Sequence, residues 1–519
     1  MVTATGADVS GPGPRSRGLM LAGCCLAFFI VSLDATIVNV ALPTMQAGLH
    51  ASVTGLQWII DSYTLVFAGL LLLAGSTGDR IGRRRMFQTG LVVFAAGSLA
   101  CSVAPNLGTL IAFRMLQAAG GAMMQPNALS TIANVITDPA KRAHAFGMWA
   151  GVFGAAAASG PVIGGVLVAT VGWRAIFWVN LPVAAAAFVL AARYAPETRA
   201  PRPRRADPPG QILLMLTLGT LTYAIIEGPA RGWTSAQIVG LFAVAAISLG
   251  AFVAVELHRD EPLLELRFFR SPPFSGATSM ATLAFAILAG FLFLNTLYLQ
   301  EVRGDSALLA GVATLPVAVV IAAGAPFTGR IVARHGSRML MTAAGLFLGG
   351  GALVLTQDRV ASSYLILAAG YVLLGFGFAL INPPITNIAV GGMPTAQAGV
   401  ASAIATSSRQ LGNVLGVAII GSVVTSQLRR SLGQRADTTK LAASTRAALG
   451  HAGTGTSLRV PSSLPSAPLA DQILREAFTT ASHTGWDLAA IAGLAIAGIA
   501  WHTTSTRARA IAGASKPEQ

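Results

Sequence analysis

Residues 75–85 read Gly75-Ser76-Thr77-Gly78-Asp79-Arg80-Ile81-Gly82-Arg83-Arg84-Arg85 and lie between two long apolar segments. Four arginines so close together cannot sit in hydrocarbon, so the stretch is predicted to be an aqueous loop. The positive-inside rule places it on the cytoplasmic face of a membrane. The glycines permit a tight turn and close approach of neighbouring backbone. An ordinary basic anchor between two spans is the lesser reading of the segment, and the rest of the chain weighs further against it.

The composition is that of a membrane protein. Of 519 residues, 54% are hydrophobic and only 11% charged, against roughly 25% charged in a soluble domain. Such a chain cannot cover its surface with polar groups, so lipid is its solvent. The net charge of +15 comes from basic residues in the connections between apolar runs and not from one face of a folded module, which argues against a nucleic-acid partner. Cys24, Cys25 and Cys101 fall in apolar segments and show neither a disulfide framework nor metal-ligand spacing. At about 20 apolar residues per span, the chain divides into fourteen, the first near 18–42 and the last near 484–503. The first is too long for a signal-peptide core and reads as a retained helix. With the N-terminus inside, the cytoplasmic connections hold Arg80, Arg83, Arg84, Arg85, Lys141, Arg142 and the arginines of 193–205, 259–270 and 330–338. The short outer loops hold only Arg174, Arg231, Arg303 and Arg359. This asymmetry predicts both termini in the cytoplasm. The basic stretch at about 428–483 is placed outside; long loops translocate largely regardless of charge, and its Gly, Ser, Thr and Pro content reads as a mobile loop with a short helix near Ala470–Thr480.

The chain repeats itself. Gly75-xxx-Asp79-Arg80-x-Gly82-x-Arg84 recurs as Gly329-xxx-Ala333-Arg334-x-Gly336-x-Arg338, and Gln125-Pro126-Asn127 recurs as Asn382-Pro383-Pro384, both at an offset of about 255 residues. Two halves in the same orientation follow: an N-terminal six-helix bundle (1–194), a linker with two inserted spans (195–273), and a C-terminal six-helix bundle (274–519) carrying the long extracellular loop.

Several further motifs sit in order: Leu33-Asp34-Ala35-Thr36 through Asn39 to Pro43 in span 1, Arg114-Met115-Leu116-Gln117 in span 4, Gly151-xx-Gly154 and Gly160-Pro161 through Gly164-Gly165 in span 5, Trp173-Arg174 through Asn180-Leu181-Pro182, and Arg409-Gln410-Leu411-Gly412 in span 13. With the 75–85 segment they resemble the drug:proton antiporters with fourteen spans of the major facilitator superfamily, over nearly the whole chain. The resemblance implies an all-α integral membrane protein of the major facilitator fold. It also implies proton-coupled efflux of drugs or other amphipathic small molecules by alternating access across a bacterial plasma membrane. The span-5 motif of Gly154, Gly160, Pro161, Gly164 and Gly165 is, by resemblance, associated with antiport; simple packing glycines are the other reading. A metabolite or nutrient transporter of the same fold is the alternative function. No Gly-rich phosphate loop, metal cluster or nucleophile–base pair stands out, so no enzyme activity, metal or cofactor is expected. The expected partners are small-molecule drugs or amphipathic metabolites, protons and the bilayer, and the expected state is a monomer.

A charge inside a span is costly and faces a cavity or a partner. Asp34 lies roughly 24 Å from the inner end of span 1, and Arg114 roughly 10 Å deep from the outer end of span 4. In a core about 30 Å thick these depths match. Asp34, Arg114 and Asp61 are therefore grouped as a proton-coupling cluster, in which burial disfavours the carboxylate and the guanidinium favours it; a static ion pair is the other reading for Asp34 and Arg114, and a helix-end position for Asp61. Gln117 and Gln125 continue a polar face on span 4, and Ser402, Thr406, Arg409 and Asn413 form one on span 13. With Asn295, Tyr298 and Asn382 these are candidate cavity residues. Gly75, Asp79, Arg80, Gly82, Arg83, Arg84 and Asp138 read as a conformational lock: Asp79 would accept from a helix N-terminus of the other half and Arg83 would pair with Asp138. The repeat has Ala333 in place of the aspartate, so its lock is expected to be weaker. Spans 9–13 carry no mid-membrane carboxylate, with Glu301 at an outer end, which favours neutral, zwitterionic or singly charged amphipathic substrates.

Overall fold

The computed structural model describes residues 14–200, 207–259, 261–335, 337–360, 362–391, 398–438, 444–445, 449 and 466–504. Helices account for almost all of it: α1 Pro14–Leu49, α2 Val53–Ile81, α3 Arg83–Ser102, α4 Leu107–Val135, α5 Pro139–Thr170, α6 Ala175–Trp178, α7 Asn180–Tyr194, α8 Pro208–Arg231, α9 Ala236–His258, α10 Pro272–Leu297, α11 Ala307–Ala313, α12 Leu315–His335, α13 Ser337–Leu355, α14 Tyr364–Gly391, α15 Ala398–Thr438 and α16 Ala467–Thr503. The starts follow side-chain capping, which satisfies N–H groups that lack an intrahelical acceptor. Ser52, Asn106, Asp138, Asp207, Ser235 and Ser306 cap α2, α4, α5, α8, α9 and α11.

Among the described residues thirteen helical stretches are long and apolar enough to cross a membrane, with α6–α7 forming one of them. The remaining long helix, α3, begins with Arg83, Arg84 and Arg85, which dilute its apolar content. It packs on α4 through Gly90 and Gly97, where an added Cβ would come 2.8 Å from Gly120 O and 2.6 Å from Gln117 N, and so completes the expected fourteen.

Helices α1–α7 pack mainly on one another, as do α10 and α12–α16, with α11 lying chiefly against α5. The inserted α8 lies along the seam between α2 and α15. Gln211 Nε2 donates to Gly69 O (2.6 Å), Trp58 Nε1 donates to Glu227 Oε1 (3.1 Å), and Ser422 Oγ donates to Ile225 O (2.6 Å). Helix α9 covers α8 and leaves Val239, Val244, Ile247, Leu249 and Val253 exposed, as a lipid-facing helix should.

Two expectations need correcting. Residues 75–81 are not loop but the last turns of α2; Gly82 alone, at φ +122°, makes the turn into α3. The stretch 428–483 is helical at both ends: α15 continues to Thr438, and the segment near 470–480 belongs to the long α16. Leu428, Leu432, Ile473, Leu474, Ala477 and Phe478 are buried in one apolar cluster, at spacings that put each set on one helix face.

The halves touch at the ends remote from the arginine-rich segments. Gln57 Nε2 donates to Val417 O (3.2 Å) and Ala418 O (3.3 Å), and Gln300 Nε2 donates to Val40 O (2.9 Å). Gly165 abuts Leu308, whose Cα would lie 2.7 Å from an added Cβ, and Gly311 abuts Pro161. Toward the other end of α5, an added Cβ on Gly147, Gly151 or Gly154 would meet nothing within 4 Å among the described residues. The described hydrogen bonds and glycine contacts between the halves thus lie on the side remote from the arginine-rich segments.

Candidate functional site

The depth match between α1 and α4 becomes a contact. Arg114 Nη1 donates to Asp34 Oδ2 and to Gln117 Oε1 (2.8 Å). Asp34 Oδ1 accepts from Gln117 Nε2 (2.9 Å) and from Asn180 Nδ2 (3.1 Å). Ser98 Oγ accepts from Asn180 (3.0 Å) and Gln117 (3.3 Å) and donates to Phe177 O (2.8 Å). Asp34, Ser98, Gln117 and Asn180 are fully buried and Arg114 is 1% exposed. The guanidinium also stacks over Tyr63, 4.2 Å from the ring centroid, a cation–π contact strengthened by desolvation. Four helices (α1, α3, α4 and α7) thus supply one carboxylate, one cation and three neutral side chains. A buried charge requires such pairing.

Asp61 stands apart from this network. It is fully buried on α2. Its described hydrogen bond is a long one from Thr64 Oγ1 (3.5 Å), and Oδ2 has none. The grouping of three acids and bases therefore reduces to the Asp34–Arg114 pair with a separate buried carboxyl.

The cavity candidates divide. Gln117 belongs to the Asp34 network. Gln125 lines a slot with Phe28 and Trp149, whose rings stack at 4.1 Å and 10°. Asn413 donates to Gln410 Oε1 (3.2 Å), and Arg409 Cζ sits 5.8 Å from the Phe285 centroid. Asn382 and Thr406 are half-buried; the Ser402 side chain lies outside the described residues. Asn295 accepts from Tyr371 OH (2.5 Å) inside the C-terminal bundle, and Tyr298 OH donates to Arg359 O (2.8 Å) at its outer end.

The sequence profile of the Major Facilitator Superfamily matches residues 24–417. The chain belongs to the major facilitator superfamily. It is 36% identical over 418 residues to the multidrug resistance protein Stp of Mycobacterium tuberculosis (strain CDC 1551 / Oshkosh), covering 80% of this chain and 78% of that protein. It is 38% identical over 416 residues to the tetracenomycin C resistance and export protein of Streptomyces glaucescens, covering 79% and 76%. Among solved structures, a bacterial homolog of the human lysosomal transporter Spinster, in an inward-facing and unoccupied conformation, matches with a TM-score of 0.67 at 16% identity, over 96% of this chain and 99% of that one.

The superfamily segment at the end of α2 is held by its own half. Arg83 pairs with Asp79 (2.7 Å) and not with Asp138, which instead caps α5 by accepting from Lys141 N (2.8 Å). The anion at the N-terminus of α3 is Glu197, accepting from Arg84 N (3.2 Å) and Arg85 N (3.3 Å), where the helix dipole favours it. Two backbone bonds, Arg83 N to Thr198 O (3.0 Å) and Ala200 N to Asp79 O (3.1 Å), fasten segment 197–200 along the turn. Gly75 admits Pro126, 3.3 Å from an added Cβ. Arg80 and Arg84 are half-buried, and Arg84 donates to Ala195 O (3.3 Å). The side chains of Ala333 and Arg334 in the second copy lie outside the described residues. In α5, Gly160 and Gly164 receive Thr36 and Ile37 of α1, Gly165 and Pro161 meet α11, and an added Cβ on Gly154 would meet nothing within 4 Å among the described residues.

Sequence reasoning did not single out Asn180, Ser98, Tyr63 or Glu197 as site residues. Asn180 was visible as the one amide at the start of an otherwise apolar α7.

Proposed function

We propose that this chain is a proton-coupled exporter of drugs or similar amphipathic small molecules in a bacterial plasma membrane, a monomer with both termini in the cytoplasm. The observation that carries the reading is the buried Asp34–Arg114 pair with its donors Gln117 and Asn180. The names of the related resistance and export proteins support it. With the arginine-rich segments in the cytoplasm, the bundles are closed outward and open inward. Ionised Asp34 is tied to Arg114 in this state. Opening outward moves α1 against α4 and exposes the pair to water, where the carboxyl takes a proton and frees Arg114; return to the inward state re-forms the pair and releases the proton inside. The polar residues Gln125, Thr406, Arg409 and Asn413 contact substrate in the opening. Helices α10–α14 hold no carboxylate, which suits neutral, zwitterionic or singly charged substrates. Drug accumulation in cells with and without the protein, before and after collapse of the proton gradient, tests the reading. Lower accumulation only while the gradient stands is the expected result, whereas gradient-driven uptake would assign a nutrient importer of the same fold.

A further inference from the structure

The root of the inserted helix pair carries two buried carboxyl groups that the coupling mechanism does not use. Asp207 is 4% exposed and Glu256 3%. Asp207 Oδ1 accepts from Gly210 N (3.0 Å) and pairs with Arg259 Nη2 (3.5 Å). Glu256 Oε2 accepts from Leu264 N (2.8 Å). The second oxygen of each, Asp207 Oδ2 and Glu256 Oε1, has no donor. Both of these oxygens converge on the bare Cα of Gly210, where they are the atoms nearest to an added Cβ.

Two ionised carboxylates cannot share a buried site with only one guanidinium near them. Among the described residues no other charged group supplies the missing cation. Glu265 and Arg267, beside Glu256 on the same small cavity, pair with each other at 3.9 Å. His258 is exposed, and its Nδ1 is engaged with Ala254 O (2.7 Å). Glu261 adds negative charge to the same connection. From α2, the group reaching this region is the carbonyl of Gly69, already bonded to Gln211.

We infer that Asp207 and Glu256 form a proton-binding site, one proton being held between Asp207 Oδ2 and Glu256 Oε1. The proton comes from water on the arginine-rich side; the Glu256 hydroxyl donates to Asp207, and the remaining single negative charge is balanced by Arg259. Each carboxyl also anchors backbone: Asp207 caps α8, and Glu256 holds the connection at Leu264. Loss of the proton forces one carboxylate away and frees one of these anchors. Since α8 is bonded to both bundles, the site links proton concentration at the membrane's inner face to the seam between the halves. This needs the topology proposed above but not the substrate reading.

The test uses the full chain in lipid nanodiscs, with infrared titration of protonated carboxyl groups and thermal unfolding at acidic and alkaline pH. Either Glu256→Gln or Asp207→Asn alone should remove one and the same protonated-carboxyl band, because the remaining carboxyl then ionises against Arg259. Glu256→Gln is the sharper variant: its amide N–H replaces the shared proton while its oxygen still accepts from Leu264. It should fold and should lose the part of the wild type's alkaline destabilisation that the pair causes. Retention of the full band in both variants, with an unchanged pH slope, would overturn the inference. So would stabilisation of the wild type, but not of Glu256→Gln, by sodium or magnesium at alkaline pH, which would make the site a metal-cation site.

Discussion

Neutralising one member of the Asp34–Arg114 pair should be costly, and the two single changes should differ for a reason visible in the structure. In Asp34→Asn, Oδ1 still accepts from Gln117 and Asn180, but an amide N–H now faces Arg114 Nη1. The guanidinium keeps Gln117 Oε1 (2.8 Å), Ile59 O (3.4 Å) and the face of Tyr63, and it has no route to neutrality. Stranding one partner of a buried pair costs about 3–5 kcal/mol. In Arg114→Met the stranded group is a carboxyl, which can discharge itself by taking a proton, so the loss should be smaller. The double variant Asp34→Asn/Arg114→Met removes both charges at similar volume and should recover to within about 1 kcal/mol of wild type, since apolar replacement of a buried pair is often near neutral. A double-mutant cycle on denaturant unfolding of the purified protein reads these values, with a coupling on the order of 3 kcal/mol expected. Efflux measured in the same variants separates fold from mechanism: stability returns in the double variant and proton-driven efflux does not. Additive losses would refute the pairing argument, and gradient-driven efflux at the wild-type rate in either Asp34 variant would refute the coupling role.

Other outcomes follow from individual contacts. Gln57→Ala with Gln300→Ala removes the side-chain latches between the halves; at about 1 kcal/mol net per glutamine the inward-open population should fall roughly thirtyfold relative to outward-open, read as spin-label distances across the outer mouth, and an unchanged distribution would reject the latch. Glu197→Gln weakens the anion at the start of α3 by about 0.3–1 kcal/mol and should raise hydrogen exchange at Arg84 and Arg85; unchanged exchange means the backbone bonds at Thr198 and Ala200 suffice alone. Gly165→Val cannot fit against Ala307 and Leu308 and should hold the outer side open, seen as increased labelling of outer-mouth cysteines; wild-type labelling would show that α11 gives way. Asp358, in the connection between α13 and α14, is buried; burial pushes its carboxyl up from 3.8 to about 7, with Arg303 pulling the other way. Between those values the unfolded chain has released this proton and the folded chain has not, so Asp358 lowers stability by up to about 1.4 kcal/mol per pH unit as pH rises, and adds no further loss above about 7. Asp358→Asn should flatten that part of the pH–stability curve, and an unaltered slope would remove Asp358 as its source.

What could be read from the sequence depended on how strongly each feature departs from its background. Arginine is rare in apolar segments, so its placement gave the spans and their order, and the repeat at Gly329–Arg338 gave the two halves. Asp34 and Arg114 could be matched because a span fixes depth at 1.5 Å per residue, which turns sequence position into height above the membrane. Asp61 was grouped with them by the same reasoning and does not join them, since depth gives no azimuth around the helix. The extension of α15 and α16 was hidden because Arg429, Arg430 and the Gly, Ser and Thr residues around Leu428, Leu432 and Phe478 obscure the apolar stripe. Asp207 and Glu256 drew no attention at the membrane edge, where carboxylates are ordinary; only the fold shows that both are buried and face each other. The contacts between the halves were the least legible of all. Gln57 and Gln300 bond to the backbone carbonyls of Val417, Ala418 and Val40, and every residue carries such a carbonyl. A glutamine that recognises backbone leaves no complementary side chain to find. This also suits a moving interface, because a carbonyl presents an acceptor at each successive position as the helices slide, and the latch can break and re-form without a dedicated partner.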